Sequence, residues 1–383
     1  MLNRPWQIIA GEYPPQHGGV SDYTQSIVSG LADAGHCSHV WTRGNSETTE
    51  MPSKGISVHR CAGNFGPADI RHLGRRLNAV TDRLLLVQYV PHAFGYKAMN
   101  LPFAWWVRQR ATRHHDDVRI MFHEVAYPWV RTPLRHNLLA AVNELMVKLM
   151  VGHASRIYVS TTAWNPRLIR LGVNPDKLVS LPIPSNIPEA TDLRTVDLIR
   201  SRIATASPSR SIVGHFGTYG ENVTRLLMPI VEQLISSKVP IHLLFIGGGG
   251  ERFREQLVQR FQEWNAHISA TGRIDAMDVA HHIRASDIMI QPFADGANTR
   301  RTSLMACLIN RRATVSTTGH HCEAFWSDEK AVRLIELRNT KSAVYEICEL
   351  IREPRIAVEL GKRGYEYYSE HLSLKRTVTS LTT

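Results

Sequence analysis

The chain has 383 residues, and only five of them are cysteine. Cys37, Cys61, Cys307, Cys322 and Cys348 are scattered and never spaced as C-x-x-C. That excludes a dense disulfide framework and reads as core filler in a reducing compartment. Long apolar runs are missing too: no uncharged stretch of about 18 residues exists, so no membrane-spanning helix is expected. The opening "MLNRPWQIIAGEYPP" lacks the apolar region of a signal peptide. Lysine and arginine never gather into a run of the nucleic-acid-binding type. A zinc-protease motif is broken, because "FHEVAYPW" (122–129) has Tyr127 where HExxH needs a second histidine. The pairs His114–His115 and His281–His282 and the run His320–His321–Cys322 lack partners at metal-ligand spacing, so no metal is expected. Internal repeats and low-complexity tracts are also absent.

What is present is a basic, ordinary globular composition. Lysine plus arginine number 45 against 34 acidic residues, a net charge of +11. Such an excess favours polyanions, anionic membrane surfaces or phosphorylated small molecules as partners. The length suits two domains of about 150–200 residues. Apolar runs "WQIIA" (6–10), "LLLVQYV" (84–90), "VRIMFHEV" (118–125), "SRIYVS" (155–160) and "KLVSLPI" (177–183) alternate with helical stretches at 20–35, 97–114 and 135–151. Near-continuous apolar strands separated by helices predict a parallel sheet covered on both faces. A polar, proline-containing stretch at 184–210 reads as a linker plus one helix. A second series follows: "SIVGHFG" (211–217), "IHLLFIG" (241–247), "DIMIQPF" (287–293) and "RATVST" (312–317). The pattern predicts two Rossmann-like domains in tandem, with the crevice between them as the expected ligand site. The end of the chain reads as an amphipathic helix.

Several junctions could carry chemistry. In "EYPPQHGGVSDYT" (12–24), Gly18 and Gly19 let the backbone approach a ligand beside a helix N-terminus; a simple turn with Ser21 or Asp22 as helix cap is the alternative. His123 ends a strand and either bonds a polar ligand or serves structure. "LFIGGGGERF" (244–253) is a glycine turn that suits either a nucleotide or tight strand-to-helix packing. In "YVPHAFGY" (89–96), His92 and its aromatic neighbours line an acceptor site or fill a core, and Trp105, Trp106 and Trp129 share that ambiguity. The stretch "PFADGANTRRTSLMACLINRRATV" (292–315) predicts a helix from about Thr299, with Leu304 and Leu308 toward the sheet. Arg300 and Arg301 would then occupy its first turn, where the helix dipole favours anions over cations. A phosphate at that N-terminus, met by backbone N–H groups and two guanidinium forks, removes the anomaly. Solvated surface cations are the plainer alternative.

Taken in order, the "GGV" turn, the strand-end histidine, "LPIPSNIP", "VGHFGTYG", "FIGGGG", "TGRID", "SDIMIQPF" and the arginine-bearing loop resemble the retaining nucleotide-sugar glycosyltransferases of the GT-B fold, family 4. The resemblance spans nearly the whole chain. It implies an α/β architecture of two Rossmann-like doubly wound domains facing each other across a cleft. Residues 1–185 would form the acceptor-side domain, 186–365 the donor domain, and 366–383 a helix returning to the first. It implies that Gly18 and Gly19 approach the donor diphosphate and that His123 contacts the donor sugar. Arg273 and Ile274 would border the base, and Asp295 would hold sugar hydroxyls. Asn298, Thr299 and Arg300 would offer amides to the phosphates, with His92 and Tyr13 on the acceptor side.

Two departures stand out. The family's E-x7-E pair is Asp295 and Ser303 here. Thr218 stands where the family has a diphosphate-binding arginine, so Arg300 and Arg301 would substitute for it. The implied activity is transfer, in the EC 2.4 class, from a UDP- or GDP-sugar to a glycan or lipid-linked acceptor, in cell-envelope polysaccharide or lipopolysaccharide synthesis. It needs no metal or other cofactor, since the helix N-terminus and cations would stabilise the leaving diphosphate. A GT-B nucleotide-sugar 2-epimerase and a non-catalytic nucleotide-sugar binder are the alternatives. The expected location is cytoplasmic, with the basic surface suited to the inner face of a membrane; nucleic acid is not an expected partner.

Overall fold

The apolar runs become interior strands, buried because helices cover both of their faces, except the run at 177–183, whose strand Leu178–Ser180 is a partly exposed edge. A computed structural model describes residues 4–16, 18–46, 49–80, 83–133 and 135–383. The chain separates into two units, Met1–Pro182 with Thr377–Thr383, and Ile183–Arg376.

The first unit holds β1 (Trp6–Ala10), β2 (Ser38–Trp41), β3 (Thr49–Ser53), β4 (Ile56–His59), β5 (Leu84–Tyr89), β6 (Asp117–Phe122), β7 (Arg156–Val159) and β8 (Leu178–Ser180). Its helices are α1 (Gly19–Asp33), α2 (Pro67–Asn78), α3 (Leu101–Thr112), α4 (Arg135–Val151) and α5 (Asn165–Arg170). The sheet runs β3-β4-β2-β1-β5-β6-β7-β8. All its ladders are parallel except β3–β4, an antiparallel edge, so the sheet is mixed and not purely parallel as expected. β3, "TEMPS", is exposed throughout and has no apolar pattern to announce it. Every residue of β1 and β5 is buried.

The second unit holds α6 (Leu193–Ala206), β9 (Ser211–Phe216), α7 (Glu221–Ser236), β10 (Ile241–Ile246), α8 (Gly250–Arg260), β11 (Ile268–Ala270), α9 (Ala276–Ala285), β12 (Ile288–Gln291), α10 (Thr302–Ile309), β13 (Ala313–Thr317), α11 (Phe325–Asp328), β14 (Arg333–Ile335), α12 (Thr340–Arg352) and α13 (Pro354–Tyr367). Its sheet runs β11-β10-β9-β12-β13-β14, all parallel. β11 and β14 are three residues each, too short to register as periodic runs. The final helix, α14 (Leu374–Thr382), ends within the first unit, where Arg119 Nη1 donates to the Leu381 carbonyl at 2.8 Å.

Both sheets reverse their strand order, at β1/β5 and at β9/β12. The C-terminal ends of the strands at such a switch point are where α/β sheets bind ligands.

His215, on β9, is 3% exposed and stands edge-on to Tyr219 with ring centroids 5.0 Å apart. Burial pushes its pKa down to about 3. Below pH ~6.5 the unfolded chain takes up a proton that the folded chain refuses, so stability falls as pH falls. Between pH 6.5 and 5 this single group should cost about 2 kcal/mol. Urea unfolding across that range should show the loss, and His215→Phe should flatten its slope.

Candidate functional site

In the first unit, the predicted residues follow three adjacent parallel strands, β1, β5 and β6. Gly18 and Gly19 open α1, which has no side-chain cap. Neither Ser21 nor Asp22 caps it; Ser21 lies inside the helix and its Oγ donates to the Gln16 carbonyl at 2.6 Å. A Cβ at Gly19 would meet nothing within 4 Å, so the space over this N-terminus is open. A Cβ at Gly18 would sit 2.3 Å from Glu12 Oε2. His123 is 9% exposed. Its Nε2 is 2.8 Å from Gln88 Oε1, and its ring meets Tyr23 edge-on at 4.9 Å. Its orientation is thus set by a buried amide on β5 and an aromatic ring on α1. His92 is exposed in the short turn Pro91–Phe94. Tyr13 is 5% exposed, and burial raises its phenol pKa. Trp105 and Trp129 are surface residues, whereas Trp106 packs against the core.

In the second unit, the ends of β11, β10, β9 and β12 carry Arg273–Ile274, the glycine turn, Thr218 and the loop 292–301. The glycine turn is a geometric necessity at two positions: Gly247 (φ 109°) and Gly249 (φ 91°) lie in the left-handed region that side chains avoid. A Cβ at Gly247 would meet the Gly217 carbonyl oxygen at 2.4 Å, which locks this turn against the end of β9. Thr218 and Arg273 are exposed, and Ile274 is half-buried.

The arginine loop departs from expectation. α10 begins at Thr302, not near Thr299. Arg301 is its N-cap, and Arg300 precedes the helix altogether. Residues 298–301 form a turn closed by Arg301 N–H donating to the Asn298 carbonyl at 3.1 Å. Leu304 and Leu308 pack with Trp326, Tyr368 and Leu372 in a cluster that reaches the sheet only at Leu334 of the edge strand β14. Ala306 and Cys307 are the residues of α10 that share a core with Leu244, Ile246 and Met289 of the strands.

The arginines also have separate fates. Arg301 Nη2 donates to Asp295 Oδ1, and its guanidinium carbon lies 4.8 Å from the centre of the Phe293 ring. The second carboxylate oxygen, Oδ2, is 3.4 Å from both His321 Nδ1 and Asn298 Nδ2. Burial alone would raise the Asp295 pKa, but Arg301, Arg300 and His321 together hold it below the ordinary carboxylate range. Burial lowers the His321 pKa despite that bond to Asp295. Asn298 is fully buried, its Nδ2 donating to the Gly296 carbonyl at 2.9 Å. The Thr299 amide, expected to face a phosphate, donates to Glu323 Oε2 at 2.7 Å. The Arg300 amide meets Asn298 Oδ1 at 3.3 Å. The N-terminus of α10 has no side-chain cap, and Ser303 is its second residue.

Glu323 is the residue sequence reasoning missed. It is 5% exposed, and its two carboxylate oxygens receive the amide and hydroxyl (3.0 Å) of Thr299. Gly319 was missed with it. A Cβ there would lie 2.4–2.5 Å from the backbone of Asp295 and Gly296, so the two loops touch main chain to main chain. The only sequence signal is an acidic residue following "TTGHHC", which local pattern reads as surface. Among the described residues, no group of three or more His, Cys, Asp or Glu side chains is placed to hold a metal ion. No helix among them is long and apolar enough to cross a membrane.

Comparison with known proteins agrees with this arrangement. Residues 18–184 match the model of the glycosyl transferase 4-like domain. Sucrose-phosphate synthase from Thermosynechococcus elongatus superposes with a TM-score of 0.71 at 16% identity, covering 99% of this chain and 97% of that one. HepE from Anabaena, solved with UDP and glucose, superposes at 0.68 and 11% identity, covering 99% and 98%. WaaG, a glycosyltransferase involved in lipopolysaccharide biosynthesis, superposes at 0.65 and 13% identity, covering 98% of each chain. At these identities the solved structures establish the fold. No curated protein matches the chain in sequence. The chain has the GT-B fold seen in glycosyltransferases, and its residues 18–184 match the glycosyl transferase 4-like domain.

Proposed function

We propose that the protein is a retaining enzyme that moves a sugar from a UDP- or GDP-sugar to a glycan or lipid-linked acceptor in cell-envelope polysaccharide or lipopolysaccharide synthesis. The observation that carries this reading is the ionised Asp295, clamped by Arg301 beside the uncapped start of α10, at the switch point of the second sheet. Fold neighbours support the donor class: HepE was solved with UDP-glucose, and a trehalose-6-phosphate enzyme of E. coli with UDP-2-fluoro glucose.

In this reading the sugar–phosphate bond breaks as the acceptor oxygen forms its bond to the same carbon. The acceptor's proton passes to the leaving diphosphate, so no enzyme nucleophile and no metal take part. Asp295 orients the sugar hydroxyls. His123, held by Gln88, hydrogen-bonds the sugar. Gly18 and Gly19 leave room for the diphosphate, and Thr218, Arg273 and Ile274 flank the nucleotide. Arg301 serves Asp295, so Arg300 is assigned to the phosphates, together with the first amides of α10 including that of Ser303. His92 and Tyr13 are assigned to the acceptor side. A lipid-linked acceptor at an anionic membrane suits the net charge of +11 and the exposed Trp105, Trp129, Leu138 and Leu145 of the first unit.

Calorimetric titration of UDP and GDP into the wild type and Arg300→Ala tests the assignment. Loss of one charge-assisted contact should weaken nucleotide binding about tenfold. Unchanged affinity would remove Arg300 from the phosphate site.

A further inference from the structure

A second charged site lies at the other end of the second sheet. A cavity of about 690 Å³ opens where β9, β12 and β13 begin, beside Ser211, Ile288 and Ala313. The loop 292–301 follows the opposite end of β12, so the two sites are separate. Six cations line the cavity: Arg200, Arg210, Arg284, Arg311, Arg312 and Lys362. One carboxylate lines it, Asp287.

The anionic groups in reach do not balance these cations. Asp287 spends one oxygen on Arg200 Nη1 (2.9 Å) and the other on the Ile212 amide (2.7 Å). Glu189 pairs with Arg311, and Glu366 stands 3.8 Å from Lys362. Six cations thus face three carboxylates. Arg210, Arg284 and Arg312 donate only to carbonyls among the contacts seen. Arg210 reaches Ile241 (3.3 Å), Arg284 reaches Asn310 (2.9 Å), and Arg312 reaches both Asn310 (3.1 Å) and Ser286 (2.9 Å). Carbonyls satisfy N–H groups but leave the charge in place. Burial, followed by repulsion from Arg284, pushes the Arg312 pKa down to about 10. A like-charged cluster of this kind in a hollow is unfavourable unless an anion enters it.

The rest of the lining says which anion. Arginine forks match phosphate oxygens two at a time. Leu350, Ile351, Ala357 and Val358 form an apolar wall on α12 and α13. The volume lies in the range of small-molecule sites. We infer that this cavity is a binding site for a phosphate monoester or diphosphate bearing a small organic group, its phosphate on Arg210, Arg284 and Arg312 and its organic part against Leu350 and Val358. The inference does not depend on the transferase reading. It concerns a different end of the sheet and would stand if the loop 292–301 bound no nucleotide.

Such chemistry can come from a free metabolite or from a lipid headgroup. The test therefore has two arms, both without nucleotide, because UDP is itself a diphosphate with an organic group and would compete for the cavity. Glucose 6-phosphate and inorganic pyrophosphate are titrated by calorimetry, and phosphatidic acid vesicles, which present a phosphate monoester, are used for co-sedimentation. Binding in the first arm identifies a soluble phosphate, and binding in the second alone identifies a headgroup. Val358 is 71% exposed, so Val358→Asp should fold normally while placing a carboxylate on the wall. It should weaken the bound probe about tenfold, and Lys362→Gln should weaken it about threefold, with the melting temperature nearly unchanged in both. No binding in either arm, or equal binding by wild type and Val358→Asp, would overturn the inference.

Discussion

Asp295→Ala is expected to lower sugar transfer by about 10²–10³-fold, the size seen when one directional contact to a reacting group is removed. The carboxylate is committed in two directions, and the substitution removes both. Its Oδ1 holds Arg301 over the Phe293 ring, and its Oδ2 faces Asn298 and His321. The loop itself should survive. The Asp295 carbonyl still accepts the His321 amide at 2.8 Å, and Glu323 still holds Thr299. The expected signature is therefore lost turnover of UDP- or GDP-sugar at nearly unchanged melting temperature. Asp295→Asn separates charge from shape, and should recover little activity if the ionised form is needed. The sign of the pH dependence follows. A carboxyl held below its ordinary range stays ionised down to lower pH, so its acid limb should lie below pH ~4 and activity should fall only under that value. Donor turnover by Asp295→Ala at the wild-type rate would remove this residue from the reaction.

The largest stability effect is expected in the first unit, far from any substrate. Arg110 and the side chain of Asp116 are completely buried. Asp116 accepts from Arg110 Nε and from Arg83 Nε, both at 2.5 Å, and Arg110 Nη1 donates to Asn78 Oδ1 at 2.6 Å. The network ties the end of α2 and the last turns of α3 to the turn that enters β6. Asp116→Ala leaves a buried guanidinium without its counter-charge, which should cost about 3–5 kcal/mol. Urea unfolding of the variant measures it. The double variant Asp116→Ala/Arg110→Met should regain part of the loss, because removing both charges costs less than stranding one. A single variant within about 0.5 kcal/mol of wild type would show that water reaches Arg110.

Neither contact is fully legible in the sequence. The turn containing Asp116, "RHHDDV", has the composition of a solvated loop, and nothing local marks one of its aspartates as the anchor of a buried arginine. Asp295 enters as a site residue only through the resemblance, where it stands for the first glutamate of E-x7-E; its position after an apolar strand and before a helix suits ligand binding in an α/β sheet. That Arg301 turns back onto it was not legible, since the helix start was placed three residues early and both arginines were assigned to its first turn.

The sequence by itself determined the longer apolar strands, their alternation with helices and hence the doubly wound class, because apolar periodicity is a local property that survives any tertiary arrangement; the short or exposed β2, β3, β4, β11 and β14 lacked that signal. It also placed the glycine turns, where backbone geometry admits little else. Tertiary structure alone decided which polar groups pair: Glu323 with Thr299, Asp116 with Arg110, and the arginines of 200, 210, 284 and 312 around one cavity. Those partners lie between six and more than a hundred residues apart. Pairing of this kind is set by strand order and helix phase, which bring distant segments to one place, and no local pattern encodes it.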